Sequence, residues 1–282
     1  MSTQPGAPRR SRTAALTIAA LLGVGVLAGC TTGGPAGPAA TLSPAAAQAA
    51  AAQAAAALSP SALLSAATAG LRAGPSVHVA ITSTSVGGLA VNSDDATADG
   101  GRQVMTDSFH AADGQPAGTA KATILLINGI CYVQGNQFAL DRVFGVPMAQ
   151  AESAAGEWIA VRPGDQFGQS DYDLIAAGLA LPSLASELAI SGKLTRTALG
   201  TIDGQQVQGV QGTQSLLAAS VGTGTSTMYV TDQAPLRPVG FTVTARAARA
   251  RIVFSRWGET LRLTPPAHPV PAGAVTPVTS IE

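Results

Sequence analysis

Residues 123–135, TILLINGICYVQG, constrain the fold more than any other stretch of this chain. Asn128-Gly129 is the dipeptide preferred in a two-residue type I′ turn, whose central residues both need positive φ, and apolar runs flank it on each side. The segment is a β-hairpin. Pairing outward from the turn opposes Ile127 to Ile130, Leu126 to Cys131, Leu125 to Tyr132 and Ile124 to Val133. Leu125, Ile127, Ile130 and Tyr132 then share one face, and Ile124, Leu126, Cys131 and Val133 the other. An antiparallel sheet with one wet side alternates apolar and polar residues, and this hairpin does not. Each face therefore needs a cover, which can be a helix, a neighbouring strand or an apolar ligand.

Around the hairpin the pattern is mostly of period two. VHVAITSTS (77–85) puts Val77, Val79 and Ile81 on one face with His78, Ala80 and Thr82 opposite, and a strand is expected at 103–109 after a Gly/Asp-rich turn region at 87–101. Further strands are expected at 157–162, on both sides of the Asp203-Gly204 turn, and at TMYVTD, VGFTVTA, RIVFSRW and TLRLT. A helix over 61–71 follows from Pro60, the spacing of Leu63, Leu64, Ala67 and Leu71, and the stop at Gly74-Pro75. SDYD (170–173) has the capping-box form with Ser170 as cap, leading a helix with Leu174, Ile175 and Leu179. A second short helix is expected from Pro182 through Leu184, Leu188 and Ile190 to Gly192. The sum is an α+β domain with an antiparallel sheet of about eight to eleven strands and a few helices.

The first sixty residues have a different character. Arg9, Arg10 and Arg12 precede an apolar run over residues 14–28, about the length of a signal-peptide core and short of the roughly 20 residues a spanning helix needs. The run ends Leu27-Ala28-Gly29-Cys30, which looks like a bacterial lipobox, where the cysteine receives a diacylglycerol and the chain is cut before it. On this reading residues 1–29 are a lipoprotein signal peptide and Cys30 carries the diacylglycerol, with an N-acyl group as a further option. Two acyl chains exceed the single-chain regime of reversible membrane binding. Residues 30–60 are an Ala/Gly/Pro-rich tether with the tract AAAQAAAAQAAAA, expected to be a frayed helix or loose coil. Residues 61–270 form the folded domain and 271–282 a Pro-rich tail.

With its sixteen basic and sixteen acidic residues spread evenly, the chain lacks the basic stripe that nucleic-acid binding requires. No GxSxG elbow, HExxH, CxxC, Walker or EF-hand loop is present after residue 30. His78, His110 and His268 lack ligand spacing, so neither catalytic nor metal residues are expected. Asp171 and Asp173 are explained by a helix start, where negative charge meets the dipole. Cys131 is read as a small buried hydrophobe, and Trp158, Trp257 and Tyr132 as core anchors.

SVHVAITS, GICYVQG, GEWIAV, the paired helices, TIDGQQVQGV, TMYVTDQAPLRPVGF and IVFSRWGETLRLTPPA together resemble an actinobacterial lipoprotein family related to LprG and LppX, over about residues 60–270. The resemblance implies a strongly curved antiparallel sheet, a half-barrel wrapped round helices as in the LolA and LolB carriers, with an acylated lipid held between sheet and helices. The expected site is then lined by Leu125, Ile127, Ile130, Tyr132, Leu174, Ile175, Leu179, Leu184 and Leu188. The expected protein is a non-catalytic lipoprotein on the outer face of the cytoplasmic membrane that binds or carries an acylated lipid or other hydrophobic molecule. The competing expectation is an envelope interaction module with a closed core. No cofactor is expected beyond the lipid on Cys30, and no protein partner is identified.

Overall fold

The computed structural model describes residues 43–111, 116–215 and 224–275. The expected signal peptide, the expected lipobox with Cys30, the first part of the expected tether and residues 276–282 lie outside them. Two helices lead in: α1 (Pro44–Ala57) and α2 (Pro60–Ala73), each begun by a serine, Ser43 or Ser59, whose side chain accepts from the backbone three residues on. Then come β1 (Ser76–Ser85), β2 (Gly88–Thr97), β3 (Gly101–Phe109), β4 (Gly118–Ile127) and β5 (Ile130–Gly135). A helical stretch, α3 (Gln137–Arg142) and α4 (Met148–Ala154), precedes β6 (Ile159–Val161), the small ribbon β7 (Gln166–Phe167) and β8 (Ser170–Asp171), and helices α5 (Tyr172–Ala176) and α6 (Leu181–Glu187). The second half comprises β9 (Ile190–Ser191), β10 (Thr195–Ile202), β11 (Gln205–Gly212), β12 (Gln214–Ser215), β13 (Gly224–Thr231), β14 (Pro238–Ala245), β15 (Ala248–Ser255), β16 (Val270–Pro271) and α7 (Ala272–Val275).

Twelve strands make one open sheet in the order β10-β11-β13-β14-β15-β1-β2-β3-β4-β5-β6-β16, antiparallel throughout except for the last pair. The α+β class and the large curved sheet agree with the sequence reading. Register shows that the sheet turns one face to two separate cores. Phe254 pairs with Val79, Val79 with Asp94, Asp94 with Gln103 and Gln103 with Ile124, so all five point the same way. Phe254 and Val79 belong to a first core under α2 and α6, and Ile124 to a second under α3, α4, α5 and α7.

The hairpin has the predicted register, with Asn128 and Gly129 at φ 51° and 73°. Its Ile124, Leu126, Cys131 and Val133 face enters the second core. The opposite face holds Leu125 and Tyr132 with Ala160, against Ile127, Ile130, Trp158 and Leu263. Leu263 belongs to TLRLT, which is no strand; it crosses the outside of the hairpin as a strap before Val270 donates to the Trp158 carbonyl at 2.7 Å. Both apolar faces are thus covered by protein.

Several local expectations change. The region expected as turn contains β2, whose inward residues are Ala90, Asn92, Asp94 and Ala96, while Leu89 and Val91 face out, 41% and 45% exposed. Composition concealed a strand with inverted polarity. At residues 170–173 the cap is Asp171, not Ser170: its carboxylate accepts from Leu174 N–H at 2.9 Å, while Ser170 pairs in the ribbon. The second helix ends at Glu187 and Ile190 enters β9, which pairs with β12. On α2, Gly70 permits the close approach of the loop after β13, since a Cβ there would lie 2.4 Å from the Leu236 carbonyl oxygen. A helix-interior glycine costs about 0.5–1 kcal/mol relative to alanine, and here that cost is exchanged for contact.

Candidate functional site

The concave side is built by helices laid on the sheet. Leu63, Leu64, Ala67 and Leu71 of α2, spaced for one helix face, meet Leu181, Leu184, Ala185 and Leu188 of the α6 region over Val79, Met228, Phe241 and Ile252. Nearly all are under 3% exposed. Burying a Leu or Ile side chain contributes about 1.5–3 kcal/mol, so this half is held firmly by its own side chains.

The nine residues expected to line one lipid site are divided among separate places. Leu125, Ile127, Ile130 and Tyr132 lie on the outer face under the strap; Ile175 and Leu179 lie in the second core; Leu184 and Leu188 lie in the first. Leu174 is 66% exposed. The reason is parity: the hairpin face opposite to the expected one looks toward the helices. None of the nine lines the clefts of about 210 to 570 Å³ found on the described residues.

Between the two cores the concave face is polar. Asp94 is 2% exposed, and Asn92, Asp94 and Asp107 each bury an Oδ1 atom without a protein partner. Desolvation pushes the Asp94 carboxyl up to about 7, opposed by a hydrogen bond from Gln103 and reinforced by the charges of Asp95 and Glu187. Burial also raises Asp107 and Glu187. This seam of acceptors was missed because Asn92 and Asp94 occur in a segment read as turn, and without β2 nothing set which face of the expected 103–109 strand Asp107 occupies. The signal was the alternation Ala90, Asn92, Asp94, Ala96 against Leu89, Val91, Ser93, Asp95.

A more apolar cleft of about 280 Å³ opens where α1 meets the sheet edge, lined by Gln53, Ala55, Ala56, Leu63, Arg196, Leu199 and Gln208. Leu63, only 1% exposed, ties its floor to the first core, whereas Leu199 is 66% exposed. Arg196 holds the lid: its guanidinium donates to the carbonyls of Ala55, at 3.0 Å, and Leu58, at the end of α1 where the helix dipole favours a cation. The helix itself, almost all alanine, has no amphipathic stripe and only Ala55 among its described residues is buried.

The remaining reactive groups have structural settings. His78 Nδ1 lies 2.7 Å from Asp95 Oδ1 on the outer face, with Arg256 at 3.9 Å from the same oxygen. Cys131 is fully buried and its thiol is pushed up to about 12 by desolvation. Asp171 caps α5 as the dipole reading expected, and Trp158 and Trp257 pack beside clusters of buried residues.

Comparison with protein families and with curated proteins gives no match for the chain. Among solved structures, the chain is similar to LprF from Mycobacterium bovis, at 16% identity and a TM-score of 0.47 over 73% of this chain and 96% of that one. It is similar also to the Mycobacterium tuberculosis lipoprotein LppX, at 15% identity and a TM-score of 0.44 over 73% of this chain and all of the other. LppX is one of the two proteins to which the sequence resemblance pointed.

Proposed function

We propose that this protein is a membrane-anchored, non-catalytic lipoprotein that binds an acylated lipid or another hydrophobic molecule at the outer face of the cytoplasmic membrane. Cys30 carries the diacylglycerol anchor, and the tether ends in α1, which lies over the apolar cleft. That cleft is the observation on which the reading rests: Leu63 connects it to the first core, and Arg196 fastens the end of the helix above it. An acyl chain entering there displaces alanine side chains and extends toward α2. The cores are filled as they stand, so accommodating more than one short chain requires α1 and α2 to shift.

Native mass spectrometry of protein extracted in mild detergent tests this. A co-purifying lipid, together with a diacylglycerol mass on the peptide beginning at Cys30, is the expected result. Apo-protein alone, with no uptake of a fluorescent fatty acid by wild type, refutes ligand binding; membrane retention of Cys30→Ala refutes the anchor. A second reading, a closed interaction module of the envelope, is favoured by the exposed Val86, Leu89 and Val91 at the β1–β2 hairpin, 83%, 41% and 45% accessible. Loss of ligand uptake with a preserved protein–protein contact through that patch distinguishes it.

A further inference from the structure

Next to the apolar cleft lies a second one with a more mixed lining. Its volume is about 490 Å³, inside the range of about 300–1,000 Å³ typical of small-molecule sites. Three segments meet around it: the β10–β11 turn, the β13–β14 loop, and Trp257 after β15. Gln205, Gln206 and Gln233 line it, and a glutamine amide offers two donor hydrogens and an acceptor oxygen; that of Gln206 already donates to Thr201 Oγ1 at 3.4 Å and keeps its oxygen and second hydrogen. Asp232 adds acceptors and Arg237 adds donors, so the formal charges cancel.

The loop that presents these groups is braced. Thr231 N–H donates to the Arg237 carbonyl at 3.0 Å, Arg237 N–H donates to Thr231 Oγ1 at 3.1 Å, and Asp232 N–H donates to the Gln206 carbonyl at 3.3 Å. The Leu236 carbonyl is seated against Gly70 of α2. The Arg237 guanidinium lies 5.2 Å from the Trp257 ring centroid and forms no ion pair among the described residues. The ring attracts the guanidinium, and no ion pair among the described residues occupies its N–H groups. Groups set in place beforehand lose little entropy when a ligand arrives.

The lining selects the ligand class. A lone anion meets Asp232 and a lone cation meets Arg237. A purely apolar guest strips water from three amides and returns no hydrogen bonds. A neutral polyol fits: each hydroxyl both donates and accepts, neighbouring hydroxyls can pair with one amide, carboxylate or guanidinium, and its C–H face can rest on Pro235. We infer that this cleft binds a carbohydrate. The inference is independent of the lipid reading, because the cleft shares only Thr231 and Asp232 with the apolar one.

Saturation-transfer NMR on the full chain, with maltose, cellobiose, lactose and chitobiose at millimolar concentration, tests it. At least one sugar is expected to receive saturation and to shift tryptophan emission. The double variant Gln206→Ala/Gln233→Ala, at exposed positions and with an unchanged circular dichroism spectrum, is expected to weaken binding about tenfold. Dodecyl maltoside against maltose separates a lipid-linked sugar from a free one: equal sensitivity of both to the double variant supports the cleft in either source. Silence from every sugar, binding of dodecyl maltoside that responds only to Leu199→Ser, or displacement of the sugar by millimolar inorganic phosphate overturns the inference.

Discussion

Replacing Asp94 by Asn gives a quantitative test of the seam between the two cores. The carboxyl holds its proton up to about 7 in the folded chain, against an ordinary value of 3.8. The native state therefore binds more protons than the unfolded one between those values, and stability falls as pH rises through the window, with the full cost present above pH 7. At 1.36 kcal/mol for each pH unit, the difference amounts to about 4 kcal/mol. Asp94→Asn is neutral at every pH and can keep a hydrogen bond to Gln103. Urea unfolding followed by circular dichroism should show the variant equal to wild type within about 1 kcal/mol near pH 4, and more stable by about 2–4 kcal/mol near pH 8, with an unchanged denaturant slope. Glu187 is shifted the same way and remains in both proteins, so the difference between the curves reports Asp94 together with its repulsion from Glu187. A variant destabilised equally at both pH values would refute the reasoning, because the carboxylate would then be stabilising the fold when charged.

Arg196→Ala removes two charge-assisted hydrogen bonds from the end of α1, and should raise amide exchange over residues 44–58 by an amount equivalent to about 1–3 kcal/mol while global stability changes little; hydrogen-exchange mass spectrometry measures both. Gly129→Val forces a β-branched residue into positive φ at the hairpin turn and should cost about 1–2 kcal/mol in urea unfolding. Cys131, buried and held as a thiol, should resist a disulfide reagent in the folded protein and react fully in denaturant. Leu263→Ala should loosen the strap and cost about 1–2 kcal/mol in urea unfolding, less than a fully buried leucine because the side chain is only partly buried.

Much of the fold was legible because its signals are local. The Asn128-Gly129 turn with its flanking runs, the α2 stripe and the alternation of β1 each carry their instruction within a dozen residues. β2 was harder to read, because its glycine and aspartates suggest a turn and its alternation puts the polar residues inward, a pattern that makes sense only between β1 and β3. Which hairpin face looks inward was equally hidden: both are apolar, and the choice depends on a strap more than 120 residues further along the chain. The candidate site suffered for the same reason. Leu184 lies on the expected second helix and Leu188 caps its end, but Arg196 holds α1 through carbonyls 138 and 141 residues away, a contact that no spacing rule announces.

The strand order divides into two runs that are each nearly sequential, joined where β1 pairs with β15. A chain made from its N-terminus thus completes β1 through β6 while one side of β1 still has no partner, and that side waits for residues 248–255. Until they arrive, Val77, Val79 and Ile81 border an open row of backbone donors and acceptors, the kind of edge that recruits foreign strands. The closing step joins segments about 170 residues apart, which makes it slow relative to the hairpins on either side. A holding factor would have most to protect at this edge, and a truncation before residue 248 should aggregate through it.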